Sequence, residues 1–291
     1  MNERVVEKPA GLLEFLFAAW PEAKRKQVRT WLKVGAVTID GRAEKQFDRA
    51  LRPGQRVAIL ARGVAVPETR IAGGLRIRHE DTAVIVIDKP AGLLTIASAA
   101  ETERTAYAFL TGHVRGGDPH SRDRVWIVHR LDRETSGVMV FARTETAKQA
   151  LQQNWDAADK RYFAVVEGVP EKTSGVLEHW LDETDPLRVR VASARSPARQ
   201  AATEFRVAKT VGARSLLELT LRTGRRHQIR VQLAASGWPI VGDKRYGART
   251  DPIRRLALHA SFLRFTHPVT GKMMRFESPL PGELGALVAG G

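Results

Sequence analysis

Cysteine is absent from the 291 residues, and with it go disulfide frameworks, thiolate zinc centres and cysteine nucleophiles. No apolar run approaches the roughly 20 residues of a membrane-spanning helix. The opening MNERVVEKPAG lacks the apolar stretch of a secretory signal, so a cytoplasmic location is expected. The eight histidines are scattered. None forms the helical pair of a metalloprotease or the paired spacing of a zinc finger, so no protein-held metal is expected. Acidic residues are also in short supply: 32 Asp and Glu face 47 Lys and Arg, a formal charge of +15. That excess points to a polyanionic partner, with nucleic acid and anionic membrane as the candidates.

A hydrophobic content of 43% is ample for a buried core, and 291 residues suggest one small domain and one larger one. Residues 12–20, LLEFLFAAW, have helical character; Pro21 opens a second helical segment, PEAKRKQVRTWLKVG, closed by Gly35. Within it Val28, Trp31 and Leu32 recur as a core face, while Lys26, Arg29 and Lys33 share a basic face. AVTIDGRA reads as a strand entering an Asp-Gly turn and LRPGQRVAIL as a Pro-Gly turn entering a strand. Residues 1–60 thus form a small α/β module. ARGVAVPETRIAGG, residues 61–74, reads as a linker, and residues 75–291 as the larger domain. There the runs VIVID, VWIVH, GVMVFA, YFAVVEG, LLELTLR and LRFTH carry the strand signal, with helical ETAKQALQQNW and HQIRVQLAASG between them. Strands outnumber helices and do not alternate with them, which predicts an α+β domain on a mixed, largely antiparallel sheet with flanking helices. The small-residue tail GALVAGG is expected to be poorly ordered.

The densest chemistry lies in VWIVHRLDRETSGVMVFAR, residues 125–143, where apolar runs flank a polar loop from His129 to Gly137. Strands on both sides would hold such a loop rigidly. Arg130 and Asp132 sit two apart in it, beside Arg133 and Glu134. On charge content alone, a solvated turn with local ion pairs is the better account of this loop.

The full string HRLDRETSG resembles the central motif of the RluA-type pseudouridine synthases. VIVIDKPAGLLT, KRYFAVVEG, TGRRHQIRVQLAASGWPIVGDKRYG and LHASFLRFTHPVTGKMMRFESPLP look like further blocks of that family in family order, spanning roughly residues 75–281. Residues 10–60 resemble the small RNA-binding domain named after a ribosomal small-subunit protein. The resemblance implies an isomerase that converts uridine in structured RNA to pseudouridine, with Asp132 as the essential carboxylate. Arg130 would enter the RNA and displace the target nucleotide; Tyr162 would stack on the flipped base, and Ile229 would pack on it. Arg230 would hold the carboxylate in its charged form. It implies no cofactor, since the base moves from a nitrogen to a carbon linkage without redox change. Partners would be RNA, ribosomal before transfer RNA, and no membrane, with a monomer as the default. Lys26, Arg29, Lys33, Lys89, Arg225, Arg226, Lys244 and Arg245 are candidate phosphate contacts, each of modest, salt-dependent worth.

Two departures stand out. Gln232 and Trp238 occupy places where the family commonly carries histidines, and the stretch between Thr95 and Arg124, with GHVRGGDPHSRDR, is distinctive. A silent RNA-binding or ribosome-assembly protein is the alternative; it would have no need of Asp132, Tyr162 and Arg230 together. A glycoside hydrolase would require two cooperating carboxylates, and only Glu134 lies near Asp132 in sequence.

Overall fold

The computed structural model describes residues 2–289 apart from 24, 34–35, 45, 60–68, 99–100, 117, 119 and 195–196; side chains at 2, 26, 30, 33, 42 and 43 lie outside that description. Contacts divide the chain into two compact units, Met1–Arg70 with Ile77–Thr82, and Ile71–Arg76 with Ala83–Gly291.

The first unit runs β1 (Asn2–Val5), β2 (Ala10–Gly11), α1 (Leu12–Ala19), α2 (Arg25–Lys33), β3 (Val37–Ile39), β4 (Arg42–Ala43), β5 (Ala50–Leu51) and β6 (Arg56–Ile59). An antiparallel sheet of order β1-β6-β3-β4 carries its core, into which Leu12, Leu16, Val28, Leu32, Val37 and Val57 are buried. Asp40 and Gly41 both take positive φ, 51° and 80°, as the tight hairpin between β3 and β4 demands. Arg29 is exposed, while the side chains of Lys26 and Lys33 fall outside the described residues. The linker expected at 61–74 is likewise outside them over 61–68; beyond it come β7 (Thr69–Arg70) and β8 (Arg76–Glu80).

The second unit follows as β9 (Val84–Lys89), α3 (Ala106–Arg115), β10 (Trp126–Ile127), β11 (Ser136–Ala142), α4 (Glu145–Gln153), β12 (Asp159–Glu167), β13 (Ser174–Asp182), β14 (Arg190–Ala192), β15 (Arg199–Val211), β16 (Arg214–Leu221), α5 (Gln228–Ala235), β17 (Leu258–Thr266), β18 (Met273–Glu277) and α6 (Gly282–Ala286). Its strands lie in the order β14-β13-β15-β16-β12-β17-β11-β9, with β10 on β11 and β18 on β17. The β11–β17 pair is parallel and its neighbours are antiparallel, which is the mixed, largely antiparallel sheet expected. Strands β9 and β11 are buried along their whole length, explaining their continuous β-branched runs. Threonine side chains cap α3 and α4, Thr105 accepting from Ala108 N and Thr144 from Ala147 N, both at 3.1 Å.

At Gly137, paired with Ala260, β11 lies close against β17. The glycine φ is 116°, and a Cβ there would lie 2.1 Å from the Ala260 carbonyl oxygen. Gly137→Ala should therefore cost at least about 2–4 kcal/mol, combining a backbone clash with an unfavourable φ. Urea unfolding measures this, and a midpoint equal to the parent's would show that the strands can part without penalty.

The tail departs from expectation. Leu284, Leu287 and Val288 are buried in the cluster that also holds Val165, Leu217 and Leu258, because the small residues let α6 lie close on the core. Gly290 and Gly291 lie outside the described residues.

Candidate active site

The loop between β10 and β11 is held at successive points by backbone-directed bonds. His129 Nε2 accepts from Val140 N at 3.1 Å, and its ring packs on Trp155. Burial pulls the His129 pKa down to about 3, so the ring stays neutral with its proton on Nδ1. Thr95 Oγ1 donates to Leu131 O at 2.8 Å and accepts from Leu131 N at 3.2 Å. At the far end Ser136 Oγ bonds His259 Nδ1 at 2.9 Å and accepts from Arg255 Nη2 at 2.7 Å. Between these clamps Arg130, Leu131, Asp132 and Thr135 line a cavity that also receives Tyr162, His227, Ile229 and Arg230, with about 390 Å³ of free space up to its solvent mouth.

Lys89 is one of the clamps, and its expected role as a phosphate contact is corrected here. It is 1% exposed, and Nζ donates to the carbonyls of Pro90, Leu93 and Arg133 at 2.9, 2.7 and 3.1 Å. Burial pulls its pKa down to about 7, against the opposing pull of Glu134 and Asp132. Lys89→Met keeps the stem but leaves carbonyls without a donor, an expected loss of about 1–3 kcal/mol at neutral pH. Because the unfolded lysine holds its proton at a higher pH than the folded one, the unfolded state binds more protons between the two values, and stability from this group rises with pH across that window. The gap between parent and variant should therefore widen from pH 7 towards about 9. Urea titrations at the two pH values measure it; a narrowing gap would contradict the assignment.

Helix α5 supplies the opposite wall. A satisfied amide network pins it to the sheet: Gln232 Nε2 donates to Leu177 O and Ala201 O at 2.9 and 3.0 Å, and Thr203 Oγ1 donates to Gln232 Oε1 at 2.6 Å. Gln228 Nε2 adds bonds to Ala202 O and Thr203 Oγ1 at 3.1 and 2.9 Å. Gln232, one of the departures from the family pattern, is thus a buried structural residue, and Trp238 packs its ring 5.5 Å from that of Phe205. So anchored, α5 carries Arg230 into a three-way bridge. Its Nη1 donates to Asp132 Oδ2 at 3.0 Å, while Nε and Nη2 grip both oxygens of Asp243 at 2.7 and 2.8 Å. Burial acts to lower the Arg230 pKa, but the Asp243 and Asp132 carboxylates outweigh it and hold the guanidinium above its ordinary value. Oδ1 of Asp132 has no hydrogen-bond partner among the described residues and is left to the cavity.

Ile229 is 5% exposed and lines the same cavity. Tyr162 enters from β12, at a register shift between Arg161 and Tyr162 against β17. Burial, and after it the Asp132 charge, push its phenol pKa up, so the ring is present with its proton. Arg130 is exposed, with no hydrogen bond or ion pair among the described residues.

The remaining basic residues divide. Arg225 is half-buried, with Nε donating to Gln200 O at 3.3 Å, and Lys244 is exposed with an ion pair to Asp251 at 3.0 Å. Arg226 is a second correction: its Nη atoms donate to the carbonyls of Glu183, Asp185 and Pro186, so this guanidinium ties down a loop and is not free for phosphate. Arg245 spends Nη1 on Leu187 O at 3.0 Å.

Sequence reasoning missed Asp243, His227 and Tyr246. His227 takes φ 52° ahead of α5, bonds Tyr246 Oη through Nδ1 at 2.8 Å, and sets Nε2 3.8 Å from Asp132 Oδ2. Burial lowers its pKa, with the Asp132 charge opposing. The one available signal was that Asp243 precedes Lys244 and Arg245 inside a family-like block; a lone aspartate between turn residues reads as surface.

The profile of the RNA pseudouridylate synthase family matches residues 83–235. The ribosomal large subunit pseudouridine synthase D of Xanthomonas campestris pv. campestris is 36% identical, over 93% of this chain and 85% of that protein. The protein of the same name from Pseudomonas aeruginosa is 34% identical over 90% and 86%. Among solved structures, human RNA pseudouridylate synthase domain containing 4 superposes with a TM-score of 0.59 at 25% identity, covering 72% of this chain and 90% of that one. With a matching profile over more than half its length and relatives over nearly all of it, this chain belongs to the RNA pseudouridine synthase family of isomerases.

Proposed function

We propose that this enzyme converts uridine in large-subunit ribosomal RNA to pseudouridine in the cytoplasm, as a monomer and with Asp132 as the catalytic carboxylate. One observation carries the reading: Asp132 is bonded through Oδ2 to Arg230 at 3.0 Å, while its other oxygen is left to a cavity shared with Tyr162 and Ile229. A flipped uracil fits there between the phenol ring and the isoleucine, and stacking offsets the few kcal/mol spent in unstacking it from RNA. The protonated phenol suits Tyr162 to stacking rather than to acting as a base. Arg130, unpaired among the described residues, fills the gap left in the RNA. Arg29, Arg225 and Lys244 serve as phosphate contacts, and residues 1–60 add RNA affinity. The reaction exchanges a nitrogen–carbon for a carbon–carbon glycosyl bond at one oxidation level and calls for no redox cofactor.

Ribosomal RNA is favoured over transfer RNA by the names of the relatives. Unmodified transcripts of each class, carrying tritium at uridine carbon 5, test this directly: release into water from the large-subunit transcript is expected. Release from transfer RNA alone would move the substrate, and release from neither would leave the silent-binder reading in its place.

A further inference from the structure

The segment between β13 and β14 is tied down by cations that the sequence marks as phosphate contacts. Arg226 holds the carbonyls of Glu183, Asp185 and Pro186, Arg245 holds that of Leu187, and Val189 N donates to Tyr246 Oη at 3.1 Å. The exposed guanidiniums left on this segment are those of Arg188 and Arg190. Arg188 has no hydrogen bond or ion pair from its side chain among the described residues, and Arg190 has a loose pair with Asp185 at 3.8 Å.

Both stand at a second concavity, separate from the one holding Asp132, with about 830 Å³ of free space up to its mouth. Val191, Val231 and Ala234 line it, and Tyr246 closes one side. Val191 remains 42% exposed, so apolar surface is open directly beside the two guanidiniums. An apolar protein segment laid here would desolvate two arginines, of which only Arg190 has a counter-charge, its loose pair with Asp185. A nucleotide has the complementary chemistry, a flat base for the floor and a phosphate for the rim. Tyr246 also joins the two concavities, since its hydroxyl bonds His227, which faces Asp132.

We propose that this groove receives a nucleotide neighbouring the target uridine in the same RNA, with its phosphate on Arg188 and Arg190 and its base against Val191 and Ala234. The assignment rests on the RNA-isomerase reading above. The full chain is assayed on the unmodified large-subunit transcript for binding across roughly 50–300 mM KCl and for tritium release. The double variant Arg188→Ala, Arg190→Ala should raise Kd and KM about tenfold, hold kcat within about twofold, and flatten the slope of log K against log salt by about 0.8, the contribution of one phosphate. Val191→Asp should raise KM, whereas Val191→Trp, which enlarges the stacking floor, should lower it or leave it unchanged. Arg275→Ala, a loss of exposed charge on β18, should not change the slope. An unchanged slope in the double variant, an equal loss in Arg275→Ala, or a Val191→Trp effect matching that of Val191→Asp would overturn the groove assignment. A parent that binds with this slope but releases no tritium would instead remove the isomerase reading and leave the groove standing.

Discussion

Asp132→Asn should reduce tritium release at least about 10³-fold while leaving the protein folded and RNA affinity within a few fold. Asparagine preserves the size of the side chain and one acceptor for Arg230 Nη1. What it removes is the charge, and with it the oxygen that attacks the sugar or takes up a proton in any covalent course of the reaction. The fold tolerates the change because Arg230 retains its two bonds to Asp243, so no buried cation is left uncompensated. The cost should therefore fall on turnover and not on the unfolding midpoint. Turnover near the parental rate would remove Asp132 from the chemistry, and a collapse in stability would show that the carboxylate is chiefly structural.

Arg230→Met should fail in both respects. The Asp243 side chain is 1% exposed, and its two oxygens are gripped by this one guanidinium. Removing the cation strands a buried carboxylate, at a cost of about 3–5 kcal/mol. It also removes the donor that orients Asp132, for which a loss of about 10²-fold or more in turnover is expected. Lost activity could follow from lost stability, so the second substitution matters. In Arg230→Met, Asp243→Leu, the stranded charge is gone and most of the stability should return, since replacing a whole buried pair by apolar residues is often neutral or better. Turnover should stay low. Urea unfolding and tritium release on the two variants and the parent decide the matter. Recovery of both quantities in the double variant would reduce Arg230 to a structural pair with Asp243, and a single variant as stable as the parent would deny the bridge any role in the fold.

The contrast between these residues shows what could be read from the chain alone. The buried strands announced themselves because β9 and β11 are covered on both faces and so carry unbroken β-branched runs. The polar loop between β10 and β11 was equally plain, and Asp132 and Arg230 were linked through family-like blocks although they are far apart in sequence. What stayed hidden was which charges the fold consumes. Lys89 and Arg226 look like surface cations because charge is normally solvated, yet each satisfies carbonyls that irregular backbone leaves without partners. Asp243 went unnoticed for the same reason. The tail was misjudged because small residues suggest disorder when no core is in view, and α6 is accommodated through their lack of bulk.

The sheet order has a consequence for biosynthesis. Strand β17, made after every other piece of the catalytic constellation, lies between β11, which follows the Asp132 loop, and β12, which bears Tyr162. A nascent polypeptide that has emerged only as far as α5 already contains Asp132, Tyr162 and Arg230 but lacks the strand that joins β11 to β12. Activity must therefore await the synthesis of β17, and a premature stop ahead of it would leave an intact motif in a chain without a working centre.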